Sequence, residues 1–367
     1  MMPPHLRLSP GLRLLLLAVL AAPPGTAGVT IHEETLGESR ITVAEPDDWN
    51  GGLVLFNHGH IPAHKPLTAY LPAAREPFAH LLAEGWLVAA SSYRRNGVII
   101  GEAMEDVAVL RDHLAETYGE PETTLLIGSS MGGAIALLLL EEQPEHYHGG
   151  LVLGRGLWVR EENEPRPFTF RLTRPVLFLT NRSEREQALR YRAGVLGRIQ
   201  QSDTNIVVPP VWTVERDGHI VFTMEEYRSA MTALLSWVET GEALQPRHDA
   251  TIPAEMPASI ATFHQDGRVT TTVTDISPTY GNVEIGLSAA DLETLGLDRG
   301  DRLSLTTQDG STVSVTLAAS YGDVPAGAWV GFINEFLRLY LAINQGDAAA
   351  ALGLTIGDPV TVRVSGA

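Results

Sequence analysis

"LLIGSSMGGAIALLLL", residues 125–140, is the most informative segment of the chain. Its apolar opening is too short for a helix and is cut off by a glycine-serine turn, so it reads as a buried strand. An unbroken run of helix formers follows the turn. Two serines stand side by side in that turn. The frame G-x-S-x-G is met by Gly128, Ser130 and Gly132, whereas Ser129 has Ile127 and Met131 at the same offsets. The frame has a physical basis. A serine at the tip of a sharp strand-to-helix turn needs small neighbours, so that the strained backbone fits between adjacent strands. The following helix then aims its positive N-terminus at the site, where a developing negative charge is stabilised. Ser130 is the expected nucleophile, against the plainer reading of a glycine-rich turn.

The flanking sequence repeats this alternation. "VTIHEETL" and "SRITVAEP" read as an opening hairpin, and "GLVLFNHG" as a third, buried strand. Residues 73–84 read as a helix, "GWLVAASSY" as the fourth strand, and 101–118 as an amphipathic helix with Val107, Leu110, Leu114 and Tyr118 at helical spacing. Beyond the elbow come "GGLVLG", "PVLFLT", a helix from about Glu184, "VWTVE", and a helix over 224–239. Strands alternating with helices predict a mostly parallel sheet with helices on both faces. Only about 18 residues, 157–174, separate the sixth and seventh strands, which leaves little room for a lid.

A nucleophilic serine needs a base, an orienting acid and an oxyanion site. "VERDGHIVFTMEEY" supplies His219 in the loop after the last strand. "PVLFLTNRSERE" offers Glu184 and Glu186 just past the preceding strand, and Asp217 lies two residues from His219. Glu184 is preferred for its distance from the strand end, with Glu186 and Asp217 as rivals. The expected oxyanion donors are the amides of Met131 and of His60, the latter in the loop "FNHGHIPAH". That loop's His58, His60 and His64 raise the question of zinc. Pro62 and Ala63 occupy positions where a binuclear metal site would want Asp or His, so no metal is expected.

The composition is that of a folded chain, 44% apolar and 19% charged over 367 residues, long enough for two domains. The formal charge of −18 argues against nucleic acid or anionic lipid as a partner. With no cysteine, disulfides, thiolate metal sites and cysteine nucleophiles are excluded. Residues 1–27 have the layout of a signal peptide: Arg7 and Arg13, an apolar core over 14–22, and Gly25 and Ala27 before the cut. The expectation is a secreted or periplasmic protein with no membrane span once the leader is removed.

Near residue 241 the composition changes. A proline- and alanine-rich stretch over 246–264 reads as a linker between a catalytic domain, 28–245, and a second domain, 265–367. In the second domain "LGLDRGD" at 295–301 recurs as "LGLTIGD" at 352–358, each before an alternating strand, "RLSLTTQ" and "PVTVRV". With "QDG" as a hairpin turn, this reads as a small β-barrel.

Several motifs together carry a resemblance over residues 50–245. They are the elbow "GSSMGG", the "NHG" after the third strand, "AASSYRRNG" after the fourth, and "GHIVFT…WVETG" near the end. This region resembles the α/β-hydrolase superfamily, specifically secreted bacterial serine esterases. Membership would imply a Ser-His-acid triad, an acyl-enzyme intermediate and no cofactor. Many relatives carry aspartate where Glu184 stands, although glutamate also occurs in that role. Residues 265–367, through "YGDVPAG…GFINEFLRLYLAINQGDAAAALGLTIGDPVTV", are similar to the C-terminal barrel of the S-adenosylmethionine hydroxide adenosyltransferase family. The resemblance implies an adenine-contacting segment at 334–338, where Glu335, Phe336 and Leu337 depart from the smaller residues expected. The aspartate-rich catalytic domain of that family is missing, so adenosyl transfer does not carry over, and a packing or cleft-shaping role is expected.

The combined expectation is an α/β-hydrolase fold with an accessory barrel, acting on a small-molecule or polymeric carboxylic ester. The alternatives are a serine peptidase on the same triad, or a non-catalytic protein whose barrel binds a nucleoside-like ligand.

Overall fold

The computed structural model describes residues 18–20, 28–73, 75–154, 167–201, 205–244, 248–249, 258–318, 320–334 and 337–364. The first sheet contains β1 (Ala18–Leu20), β2 (Val29–Leu36), β3 (Ser39–Pro46), β4 (Gly52–Asn57), β5 (Leu87–Ser91), β6 (Thr123–Ser129), β7 (Gly149–Leu153), β8 (Val176–Asn181), β9 (Val211–Val214) and β10 (His248–Asp249). Its spatial order is β1-β2-β3-β5-β4-β6-β7-β8-β9-β10. Pairing is antiparallel from β1 to β5 and parallel from β5 onward. The parallel strands are apolar on both faces because helices cover both.

On one face lie α2 (Ile100–Tyr118), α3 (Met131–Glu142) and α4 (Arg185–Gln200), which pack Val107, Leu110, Leu138 and Tyr191 into a core with Leu55 and Phe178. On the other face α1 (Phe78–Ala83) and α5 (Met224–Thr240) bury Leu81, Leu234 and Trp237 against Val54, Leu125 and Leu177. Such a sheet order between two helical layers is the α/β-hydrolase fold. The elements follow the sequence pattern with one shortening. The helix expected from Ala73 begins only at Phe78, because Pro77 disfavours helical geometry at Glu76. α5 starts on a capping box, Thr223 with Glu226, and ends at Gly241 in the left-handed conformation.

The second sheet contains β11 (Thr262–Phe263), β12 (Arg268–Ile276), β13 (Val283–Ser288), β14 (Arg302–Thr307), β15 (Thr312–Leu317), β16 (Trp329–Ile333), β17 (Arg338–Ile343) and β18 (Pro359–Val364), with short helices α6 (Ala289–Thr294) and α7 (Ala348–Leu352). β12 pairs with both β13 and β18, which closes seven strands, β12 to β18, into a barrel with β11 on its rim. The repeat has a structural meaning. Gly300 and Gly357 both take positive φ, +99° and +94°, at the turn before β14 and β18, and those two strands pair with each other. The barrel interior is filled by Val273, Ile285, Leu303, Leu339, Leu341 and Val362.

The expected leader, 1–27, lies outside the described residues except for β1, which adds to the edge of β2. Much of the expected linker is likewise outside them. Its described parts are not bare, since β10 extends the first sheet beside β9 and β11 the second beside β12. Residues 155–166, which include most of the short segment expected to leave little room for a lid, are also outside. No helix among the described residues is long and apolar enough to cross a membrane. Ion pairs join the domains among the described residues, including Lys65 Nζ to Asp347 Oδ2 and Arg75 Nη2 to Asp275 Oδ2, each at 3.0 Å.

Candidate active site

The turn from β6 into α3 is as tight as its glycines require. A Cβ on Gly132 would stand 1.9 Å from the carbonyl oxygen of Asn57, and one on Gly128 would stand 2.3 Å from that of Gly132. Neither position can hold a side chain. Ser130 sits at the tip with φ 54° and ψ −115°, a conformation L residues rarely adopt and one that costs on the order of 1–3 kcal/mol. Its amide donates to Leu153 O at 3.0 Å, which ties the strained residue to the end of β7. Met131 is the first residue of α3, in the turn whose N–H groups have no carbonyl partner within the helix.

The loop after β4 lies against this elbow. A Cβ added to Gly59 would be 3.2 Å from Ser130 Cβ and 3.3 Å from Ser129 O. His60 follows and lines the cavity in front of the serine. The three histidines of this loop go separate ways. His58 is buried, donates from Nδ1 to Gly59 O at 2.7 Å, and stacks on Tyr93 at 4.2 Å. Burial holds its pKa below the ordinary value. His64 is exposed. Among the described residues, no three His, Asp or Glu side chains gather as a metal site.

The three candidate acids also separate. Glu184, the N-cap residue of α4, is buried and places Oε1 2.5 Å from Nδ1 of His219, while Oε2 accepts from the Ile220 amide at 3.4 Å. Glu186 points along α4 to Arg190. Asp217 accepts from Arg182 Nε at 2.9 Å, and that hydrogen bond lowers its pKa.

The surroundings of this pair contain residues that motif reading missed. Asn181, at the end of β8, clamps the histidine loop, donating to Val221 O at 2.9 Å and accepting from Val221 N at 2.8 Å. The Ser183 hydroxyl donates to Gly218 O and accepts from Gly218 N, at 2.9 and 3.0 Å. Arg216, which faces the buried Glu226, donates to Val221 O at 2.9 Å. Gly154, with φ +68°, leaves the space into which Ile220 and the Glu184 carboxylate fit. An asparagine that ends a strand and a serine just past it are ordinary turn residues, so no spacing distinguished them.

Ser129, Ser130, His60, His219 and Ile220 line one cavity of about 700 Å³. Further first-domain residues, such as Lys65, Arg75 and Tyr227, line it too, and the second domain adds a wall that includes Tyr280, Tyr321, Phe332 and Tyr340.

Residues 98–192 match the family model described as serine aminopeptidase, S33, and residues 272–361 match that of the SAM hydroxide adenosyltransferase C-terminal domain. No curated protein matches the chain. Similar solved structures include an esterase of Pyrococcus furiosus, 15% identical, covering 62% of this chain and 98% of that one, TM-score 0.45. A putative dienelactone hydrolase of Klebsiella pneumoniae is 14% identical, covering 55% and 93%, TM-score 0.43. A 2-hydroxy-6-oxo-6-phenylhexa-2,4-dienoate hydrolase of Rhodococcus sp. strain RHA1 is 17% identical, covering 57% and 99%, TM-score 0.40.

Proposed function

We propose that this α/β-hydrolase domain is a serine hydrolase that cleaves carboxylic esters. The observation that carries the reading is the 2.5 Å contact between buried Glu184 and His219, on the same cavity as Ser130 at its strained elbow. In the proposed cycle Nε2 of His219 takes the proton of Ser130 Oγ as that oxygen attacks the ester carbonyl. Glu184 holds the Nδ1 proton and stabilises the imidazolium that forms. The amides of Met131 and His60 donate to the tetrahedral oxyanion. Collapse expels the alcohol, protonated by His219, and leaves an acyl group on Ser130. Water, deprotonated by the same histidine, then releases the acid. The donor set is sufficient for this cycle without a cofactor.

The test is labelling by a fluorophosphonate probe together with hydrolysis of p-nitrophenyl acetate. Both are lost in Ser130→Ala and kept in Ser129→Ala. Equal losses in two folded variants would sink the assignment. Aminoacyl anilides, turned over faster than esters, would redirect the reading to a peptidase. The leader-like N-terminus makes secretion part of the proposal, and N-terminal sequencing of the exported protein would locate the cut.

A further inference from the structure

We propose that the C-terminal barrel is the specificity-determining wall of the catalytic cavity, and that it selects uncharged esters bearing an aromatic ring. This rests on the hydrolase reading above.

The barrel strands alternate as a closed sheet must. On β17 Leu339 and Leu341 join the barrel core, so Tyr340 between them faces outward, and Phe332, its cross-strand partner on β16, shares that face. On an outer face polar side chains would be the ordinary choice. Here Phe332 and Tyr340 are cross-strand partners in register, and Tyr321 completes a row. The ring pairs Tyr321–Phe332 and Phe332–Tyr340 stand 5.0 and 5.7 Å apart at 72° and 74°, both edge-to-face. All three rings line the cavity that Ser130 and His219 line. A planar ring entering beside them meets edges and faces already set at the favourable angle, which an alkyl chain cannot use.

Neighbouring polar side chains hold the row in place. Asn282 Nδ2 donates to the Tyr321 hydroxyl at 2.6 Å. Glu284, in register with Tyr340, is buried and accepts from Thr274 Oγ1 at 2.7 Å and Asn334 Nδ2 at 2.5 Å. A wall whose supports are already engaged does not reorganise on binding, and this preserves affinity.

The charges point to a neutral substrate. Lys65, Arg75, Glu76 and Asp275 line the cavity, and each is already in an ion pair: with Asp347, with Asp275, with Arg228 and with Arg75. A charged substrate group would give up its hydration and compete with ion pairs already formed.

The experiment uses the full-length protein and two matched ester pairs: methyl 3-phenylpropionate with methyl hexanoate, and benzyl acetate with hexyl acetate. The expected result is a wild-type preference in kcat/KM for the phenyl member of at least one pair. Phe332→Leu and Tyr340→Leu should lower that aryl-to-alkyl ratio roughly tenfold, mainly through KM. A 4-carboxybenzyl ester should be the poorer substrate of its series. Wild-type indifference to the ring, or an unchanged ratio in both folded variants, overturns the proposal. If either variant fails to fold, protection of the wild type decides. 3-Phenylpropanamide should slow fluorophosphonate labelling more than hexanamide does, and equal protection overturns the wall. Hydrolysis that depends on Ser130 but ignores the ring fails only the wall, whereas hydrolysis that survives in folded Ser130→Ala fails the underlying reading.

Discussion

Gly154→Ala is the most demanding test of how the site is held. Gly154 lies just past β7, away from any motif, with φ +68°. Alanine there costs about 1–2 kcal/mol for the left-handed backbone alone. Its Cβ would also stand 2.4 Å from Ile220 Cγ1 and 3.0 Å from Glu184 Oε2. Ordinary carbon–carbon contact is about 3.5 Å, so Ile220 must retreat by about 1 Å. Ile220 adjoins His219 in the chain, and overpacking of this kind adds about 1–3 kcal/mol. The total loss of stability should then be about 2–5 kcal/mol. A 1 Å misplacement of a catalytic group costs about 10²-fold in rate, so kcat for p-nitrophenyl acetate should fall by about that factor. The assay is steady-state hydrolysis beside thermal melts of Gly154→Ala, Ile220→Ala and the double variant. Ile220→Ala removes the clashing atoms, so the double variant should recover much of the lost rate. A Gly154→Ala protein with near wild-type kcat, or a loss that Ile220→Ala does not relieve, would refute the reasoning.

Glu184→Gln keeps the shape but removes the charge that stabilises imidazolium, so kcat should drop by about 10³–10⁴, whereas Glu186→Gln and Asp217→Asn stay within about twofold; a larger loss in either of the latter overturns the choice of acid. Burial holds the pKa of His58 below 6.5, so the unfolded chain takes up a proton that the folded one refuses. Stability should therefore fall as pH drops through about 6.5, and the melting temperature of His58→Gln should depend less on pH between 7 and 5 than that of the wild type; parallel curves would refute this. His148, also lowered by burial first, supplies a remaining slope. Adenosine at millimolar concentration should leave the melting temperature unchanged, because the Asn334 amide is engaged with Glu284 and the Arg338 N–H; a shift of several degrees would reopen the ligand-pocket reading.

Local pattern along the chain encodes much of this architecture. The elbow was legible because a strained turn tolerates only glycine at fixed offsets from Ser130. The layered sheet was legible because short apolar runs alternate with amphipathic helices, and the barrel because a repeated glycine turn precedes two strands of period two. The expected positions of Ser130 and His219 followed from the order of elements along the chain. Choosing among Glu184, Glu186 and Asp217 did not. All three lie near strand ends, and what separates them is direction. Glu184 turns inward at the head of α4 toward a loop 35 residues away, while the other two turn to arginines at the surface. Gly154, Asn181 and Ser183 were silent for the same reason, since their partners lie far off in sequence. The role of the barrel was the largest gap. Alternation along β16 and β17 tells which residues leave the barrel core, but only the docking of two domains decides that Phe332 and Tyr340 face the cavity lined by Ser130 and His219 instead of water. Such contacts between elements distant in sequence arise from packing in three dimensions, and no periodicity along the chain records them.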